Sequence, residues 1–352
     1  EHHADAAGDR PAIAVLPFVN IAGDPEQEYF ADGLTEDIVT DLSQVSSLFV
    51  AARHSMQAFK GRQPDMRKLA HDLNVDYVLE GAVRKEGRCV RINARLVDGA
   101  TGDHLWANRY DRSVDDIFAL QDEISKSIVD TLRVKLLPVE IETIASRSTK
   151  NPAAYEHYLL GRSFYLRGMD SRSLRIARDL YAKACEIDPG YARARAGMAI
   201  CESHLSMRDP GATEAPLRNS DLALELAPNS AEAHAAKGLA LYVTGYFTEA
   251  AVLFDRAMTL DANLFEAYFF GGRCRRIQGQ RELAAARFAR AAELRPNDFR
   301  SVGMLAEEYR ALGRIEEARA AERRCLERLA AEVKAHPENA DAWAVGSAVL
   351  AH

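Results

Sequence analysis

One short segment, GDPEQEYFADGLTEDIVTDLSQV at residues 23–45, holds a dense group of carboxylate side chains. Its seven carboxylates are those of Asp24, Glu26, Glu28, Asp32, Glu36, Asp37 and Asp41. Clustered carboxylates can bind a divalent cation or act as a general acid and base. Whether these seven can share one site depends on the helix that carries them.

The segment predicts an amphipathic helix from Pro25 to Val45. Asp24 stands where an N-cap belongs, and Pro25 occupies the first helical position. An apolar stripe runs along one side of the predicted helix. Its members are Phe30, Leu34, Ile38, Leu42 and Val45.

Two pairs of acids project from this predicted helix in different directions. At about 100° per residue, Asp32 and Glu36 lie opposite the apolar stripe. Asp37 and Asp41 flank the stripe on one side. Because the pairs point too far apart to hold one ion, we expect a solvated helix face rather than a binding site. A break in the helix at Gly33 would change this geometry.

No other residue pattern indicates catalysis, and we predict no catalytic residue, cofactor site or metal site. The sequence contains no GxSxG, HExxH, GxxxxGK[ST], GxGxxG or EF-hand loop. His54, His71 and His104 are scattered, so we expect surface or hydrogen-bonded histidines rather than ligands. Trp106 and Tyr110 lie on the same face of one strand. They could form an aromatic ligand platform, but we expect them to pack beneath the 115–136 helix.

The length, the net charge and the cysteine content limit which classes of protein the chain can belong to. The 352 residues suffice for two or three domains, and no apolar run approaches the ~18 residues of a membrane span. The net charge of −7 argues against nucleic acid as a partner. Five cysteines without a CxxC pair indicate a reducing, cytoplasmic compartment. Residues 1–10 resemble a linker or a cloning remnant.

The charge divides the chain into two parts. Residues 1–150 carry 18 basic and 25 acidic side chains, whereas residues 151–352 carry 27 of each. The change coincides with a new pattern, so we place a connector at 138–151 between two domains.

The second part is a repeat array. Glycines recur 34 residues apart at Gly245, Gly279 and Gly313, and Phe254 matches Phe288 at the same spacing. This period resembles the tetratricopeptide repeat, in which two antiparallel helices form each unit. We predict an all-α solenoid over 152–352, with about five units and a partial sixth.

The first part predicts a small α/β domain with a mixed sheet and helices. Apolar runs at 12–18 and 48–52 are typical of buried strands. The stretch that starts at Asp76 predicts three antiparallel strands joined by turns at KEGR and GATG. Further helices are predicted at 65–73 and 115–136, the latter with Ser113 and Asp116 as a capping box.

Residues 11–137 resemble the TolB amino-terminal-like domain of bacterial signalling proteins. The similarity lies in AIAVLPFVNIAGDPEQEYFADGLTEDIVTDLSQVSSLFVAAR, VDYVLEGAVRKEGRCVRINARLVDGATGDHLW and ANRYDRSVDDIFALQDEI. Where that family usually has Asn-Ser, this chain has His54-Ser55. In the family, tetratricopeptide repeats follow the module, and a class III adenylate/guanylate cyclase or a winged-helix DNA-binding domain commonly precedes it.

The resemblance implies a non-catalytic regulatory and protein-interaction region that controls a fused cyclase domain outside this chain. The alternative is the small-molecule-sensing region of a winged-helix transcriptional regulator. The uncovered end of the array, at residues 338–352 with Trp343, predicts mobility or self-association as a homodimer.

Tetratricopeptide arrays bind partners along the surface formed by the first helix of each unit. We therefore predict a groove with aromatic anchors and an arginine patch for an acidic protein segment, which could be the acidic first half of this chain. The alternative is that the arginines are simply solvated. The candidate residues are Leu239, Tyr242, Val243, Phe269, Arg273, Arg276, Ile277, Arg300, Glu307 and Arg310.

Overall fold

The computed structural model divides the chain into two compact units, residues 1–160 and 161–352. The helix that begins at Pro152 starts in the first unit and ends in the second. Most of the predicted connector at 138–151 lies outside the described residues. The structure describes residues 10–43, 45–51, 56, 59–61, 64–134, 149–167, 170–208, 213–335, 342–343 and 345–346.

The first unit is built on a mixed sheet, as predicted, but the sheet has six strands, one more than the sequence analysis indicates. The order is β3-β1-β4-β5-β6, and β2 pairs with β4. β1 runs parallel to β3 and β4, whereas β4, β5 and β6 are antiparallel. The strands are β1 (Ala12–Val15), β2 (Val19–Asn20), β3 (Phe49–Val50), β4 (Tyr77–Glu86), β5 (Cys89–Asp98) and β6 (His104–Ser113).

The burial of each strand follows its sequence pattern. All four residues of β1 are buried, as expected for an uninterrupted apolar run in the middle of a sheet. In β5 every second residue from Val90 to Leu96 is buried, while the residues between them are partly or fully exposed.

Among the described residues, three helices lie between the strands or directly after β6, and their ends differ slightly from the prediction. A 3₁₀ turn at Pro25–Gln27 leads into α1 (Glu28–Ser43), which continues through Gly33 without a break. Asp65 caps the N-terminus of α2 (Met66–Leu73), and its side chain accepts hydrogen bonds from two backbone amides.

The predicted capping box before the last helix of this unit is wrong. Ser113 accepts a hydrogen bond from the Asp115 amide and so caps a 3₁₀ turn at Val114–Asp116. Asp116 makes no side-chain cap of α3 (Ile117–Thr131). α3 packs on β6, where Tyr110 is 2% exposed, which favours packing over a ligand platform.

The second unit is a series of helices in which each helix packs against the next to form consecutive pairs. This confirms the predicted all-α repeat. Left-handed glycines separate the helices of three successive pairs, with φ of 87°, 76° and 75° at Gly245, Gly279 and Gly313. The helices are α4 (Pro152–Arg167), α5 (Ser171–Ile187), α6 (Ala192–Ser206), α7 (Glu214–Leu226), α8 (Ala231–Val243), α9 (Phe247–Leu260), α10 (Phe265–Ile277), α11 (Arg281–Leu294), α12 (Phe299–Ala311) and α13 (Ile315–Ala335).

The predicted sixth unit falls largely outside the described residues. Ala342 is buried there, and Val345 packs against the cluster that contains Phe299 and Cys325. Trp343 is 58% exposed. Among the described residues, no helix combines the length and apolar character that a bilayer crossing requires.

Candidate functional site

The acidic segment is not a purely solvated helix face, so that expectation is wrong for Asp37. The Asp37 side chain is 5% exposed. Its carboxylate accepts hydrogen bonds from Gln121 Nε2, at 3.0 Å, and from the Tyr155 hydroxyl. Gln121 Nε2 also donates to the Tyr155 hydroxyl oxygen at 2.9 Å, which closes a buried polar triangle.

Three other acids of this segment make separate structural contacts. Lys60 donates to Asp32 at 2.6 Å and lies 2.8 Å from a Glu28 oxygen. Burial lowers the pKa of the Lys60 ammonium, but its hydrogen bonds to these two acids raise the pKa overall. Asp41 accepts a hydrogen bond from Ser125 at 3.2 Å. Within the part of the chain that the structure describes, no three His, Cys, Asp or Glu side chains form a metal-binding group.

Gly33 is required for close packing against the start of α4. A Cβ atom at this position would lie 2.3 Å from Leu159 Cδ2, far inside van der Waals contact. The helix therefore keeps a glycine in its interior, where glycine normally costs about 1 kcal/mol relative to alanine. Leu159 is itself 2% exposed.

The second unit contains a cavity of about 750 Å³. Its walls come mainly from α4, α6, α10 and α12, which are first helices of their pairs. Six of the ten candidate residues line it: Phe269, Arg273, Arg276, Arg300, Glu307 and Arg310. A volume of this size is typical of ligand pockets in proteins.

The other four candidates do not line the cavity. Leu239 is 1% exposed and belongs to the core of α8, and Val243 is partly buried at the end of that helix. Ile277 is 50% exposed at the end of α10. Tyr242 lies behind the cavity wall, where its ring packs against the lining residue Phe270 with 5.8 Å between the ring centroids.

A buried ion pair that the sequence did not predict lies at the cavity. Glu266 accepts a hydrogen bond from Arg295 Nη2 at 2.5 Å and another from the Tyr165 hydroxyl at 3.2 Å. The Arg295 guanidinium lies over the Phe265 ring at 3.8 Å. Burial, followed by the Glu266 charge, raises the pKa of Tyr165, so its hydroxyl remains a donor. All four side chains line the cavity.

His204 is the second cavity residue that sequence reasoning missed. It is 6% exposed and packs between the rings of Tyr165 and Phe270, at 6.1 Å and 5.5 Å. No described residue forms a hydrogen bond with its buried Nε2 atom. A buried nitrogen without a partner costs about 1–3 kcal/mol.

The protonation of His204 follows from burial. Desolvation lowers the pKa of His204 to about 3, and the nearby charges of Arg300, Arg208 and Arg295 act in the same direction. The Glu266 carboxylate acts in the opposite direction but does not compensate. The imidazole is therefore neutral at physiological pH.

The predicted arginine patch is partly neutralised by ion pairs. Arg276 lies 2.5 Å from a Glu307 oxygen and 3.1 Å from a Glu308 oxygen. Arg281 lies 3.2 Å from the second Glu308 oxygen, and that carboxylate is fully buried. Arg310 pairs with Glu322 on α13. These arginines are neither an open patch nor simply solvated.

Arg273 differs from these arginines in its surroundings. Its guanidinium lies over the rings of Tyr242, at 5.0 Å, and Phe270, at 5.8 Å. Of the residues that the structure describes, none offers it a carboxylate partner. The cavity thus combines an aromatic wall, a buried neutral imidazole and a half-buried cation with no counter-ion among those residues.

Position in the sequence explains why these residues were missed. Tyr165 and His204 come from irregular early units, where the 34-residue register gives no matching slots. Glu266 and Arg295 lie near helix ends, where charged residues are ordinary. A buried His or Glu is recognised by its neighbours in space, and the repeat pattern does not supply them.

Comparisons with known proteins give two sequence similarities. Residues 9–127 match a family described as "HilA/YgeH-like transcriptional regulator, second domain". A protein of Rhizobium meliloti (strain 1021) named "Putative adenylate cyclase 3" is 53% identical over 191 residues, which cover 54% of this chain and 32% of that protein. The chain thus spans about a third of the length of this curated relative. The resemblance to the TolB-like domain stays a prediction.

Solved structures with similar helices include two tetratricopeptide proteins. A thermophilic TPR protein of Thermus thermophilus aligns with a TM-score of 0.45 and 19% identity, over 57% of this chain and 100% of that one. YrrB, described as a TPR protein with an unusual peptide-binding site, aligns with a TM-score of 0.34 and 18% identity, over 55% and 92%.

Proposed function

We propose that this chain is a non-catalytic regulatory and protein-interaction region of a bacterial signalling protein, and that it controls a fused adenylate or guanylate cyclase domain. The 53% identity to part of a much longer protein named as a putative adenylate cyclase supports this role.

The observation that carries the proposal is the cavity between the first helices of the repeats. A protein segment bound there would contact α4, α6, α10 and α12 together. Binding would stabilise one arrangement of these helices over others, and a coupled output domain would respond to that preference. In a cytoplasmic signalling protein this is the step that converts partner binding into a change of cyclic nucleotide synthesis.

A transcriptional-regulator role is the second candidate. It draws support from the description of the family that matches residues 9–127. In that case the chain would be the small-molecule-sensing region of a winged-helix regulator. The cyclase role is better supported, because the identity to the cyclase-named relative is high over a longer stretch.

The test uses the complete natural protein rather than this region alone. Met304 lines the cavity and is half-buried, so Met304→Trp should fill part of the cavity from its rim. Ile277→Trp introduces the same side chain at an exposed position of α10 outside the cavity. We expect Met304→Trp to change cyclic nucleotide synthesis from ATP or GTP by about fivefold or more, as typical coupling energies allow. Ile277→Trp should leave it unchanged.

Two results would contradict the proposal. One is equal synthesis by both variants and the unaltered protein under all effector conditions. The other is cyclic nucleotide formation by residues 1–352 alone, with Mg²⁺ or Mn²⁺, that a point substitution within this chain abolishes. A DNA-binding domain instead of a cyclase domain upstream would replace the first candidate with the second.

A further inference from the structure

We infer that the occupant of the cavity is an acidic protein segment in extended conformation. Its carboxylate binds Arg273, and an apolar side chain beside that carboxylate lies on Phe269 and Phe270. This inference rests on the proposed function, since it names the chemistry of the partner that the same cavity would take.

The charge of the lining favours an acidic partner. The described lining contains seven arginines and four carboxylates, so basic groups are in excess. Several arginines of the lining already have carboxylate partners, whereas Arg273 has none among the described residues. Complementary charge sets partner choice and association rate. A basic segment would meet like charges and would be disfavoured.

Arg273 is the most suitable group for the incoming carboxylate. Two aromatic rings hold its guanidinium in place, so the planar group is oriented before any partner binds. A planar guanidinium presents a fork of donors that matches a carboxylate. Because no described residue neutralises it, a ligand carboxylate would form its ion pair without first displacing a protein carboxylate.

Phe270 places the apolar contact beside the ionic one. Its ring centroid lies 5.8 Å from the Arg273 guanidinium carbon. An extended chain advances roughly 3.3–3.6 Å per residue. The carboxylate and the apolar side chain therefore lie within about three residues of each other.

The extent of the lining favours a protein segment over a free small carboxylate. Lining residues run from Tyr165 on α4 through α10 and α12 to Val345 beyond α13. A segment of several residues would contact all of these helices. A molecule the size of phenylacetate would occupy the aromatic wall near Arg273 and leave the remainder of the cavity uncovered.

The test begins with an unbiased peptide selection on residues 1–352. A phage-displayed library of random decapeptides is selected on the immobilised chain, and the enriched peptides are synthesised with a fluorescein label. We expect enriched sequences to hold Asp or Glu within three residues of a large apolar side chain. Enrichment of basic or uncharged sequences, or no enrichment at all, would overturn the inference.

The affinity of the best peptide is then measured by fluorescence anisotropy against three variants. Arg273→Gln should weaken binding by about tenfold or more, as loss of a charged hydrogen-bond partner does. His204→Phe should raise the melting temperature, because it removes a buried unsatisfied nitrogen. Arg319→Gln, on α13 outside the cavity and paired with Glu316, should bind as the unaltered chain does.

Several results would overturn the inference. They are equal affinities for all variants, equal affinity for a peptide with Gln and Asn in place of its acids, and saturable binding of phenylacetate with no peptide binding. Circular dichroism shows whether each variant is folded. The proposed function fails separately: if Met304→Trp changes cyclic nucleotide synthesis but selected peptides are not acidic, regulation by the cavity stands and the acidic partner is wrong.

Discussion

Replacing Asp37 by Asn tests the most specific correction that the structure makes to the sequence analysis. Asp37 is buried and accepts hydrogen bonds from Gln121 and Tyr155. Asp32 lies on the same helix, but its side chain is 29% exposed and is paired with Lys60. The two Asp→Asn changes are chemically identical, so their difference isolates the effect of the buried triangle.

The two substitutions should differ clearly in how much they lower the free energy of unfolding. A hydrogen bond to a charged group contributes about 1.5–3 kcal/mol. Both bonds reach the same Asp37 oxygen, so Asn can still accept them, but without the charge that strengthens them. We therefore expect Asp37→Asn to lower the free energy of unfolding by about 2–4 kcal/mol. For Asp32→Asn we expect a loss below about 1 kcal/mol, because partly exposed ion pairs contribute little.

Tryptophan fluorescence allows the first unit to be followed by itself. The chain has two tryptophans, and Trp106 is the one on β6. In a Trp343→Phe background, urea unfolding reports on the first unit alone. With a typical slope of about 1–3 kcal/mol per molar urea, Asp37→Asn should lower the midpoint by roughly 1–2 M.

A double-mutant cycle with Tyr155→Phe completes the test. The coupling between Asp37 and Tyr155 should be about 0.5–3 kcal/mol, the range for residues in one hydrogen-bond network. Equal midpoints for Asp37→Asn and Asp32→Asn, together with additive effects of Asp37→Asn and Tyr155→Phe, would refute the buried triangle. The acids of this segment would then be the solvated face that the sequence indicates.

Three further predictions concern the repeat unit. Gly272→Ala should destabilise it by about 1–2 kcal/mol by urea unfolding, because the new Cβ would lie 2.8 Å from Cε1 of the fully buried Phe288; equal midpoints for the variant and the unaltered chain would refute this contact. Gly279→Ala should cost about 1–2 kcal/mol, because its φ is 76°; an unchanged midpoint would contradict this. Desolvation lowers the pKa of His204 to about 3, so the unfolded state binds the proton more strongly. The free energy of unfolding should therefore decrease as the pH is lowered from about 6.5 towards 3, by up to about 1.4 kcal/mol per pH unit. His204→Gln should remove this pH dependence.

Periodicity explains which elements could be predicted from the sequence. The 34-residue glycine spacing predicted the helix pairs, because a left-handed residue after each first helix strongly favours glycine. Alternation at Val90–Leu96 predicted the half-buried strand β5 in the same way. These patterns depend on local backbone geometry, which neighbouring residues determine.

The parts that could not be predicted depend on contacts between distant residues. Asp37 was expected on a solvated face, and its partner Tyr155 lies 118 positions away in the sequence. His204 and Glu266 reach the same cavity from different helix pairs, and their burial has no local signature. The predicted arginines lie along α10 and α12, and Glu307 was among the candidates, but the pairing of Glu307 with Arg276 and of Glu322 with Arg310 has no signal in the repeat pattern.

The central claim is that binding in the repeat cavity controls an attached output domain. The most direct measurement is cyclic nucleotide synthesis by the complete natural protein, titrated with the selected acidic peptide. The account predicts a saturable change in rate, half-complete at the dissociation constant measured for residues 1–352 and shifted about tenfold by Arg273→Gln. A rate that stays constant while the peptide saturates the cavity would contradict the account.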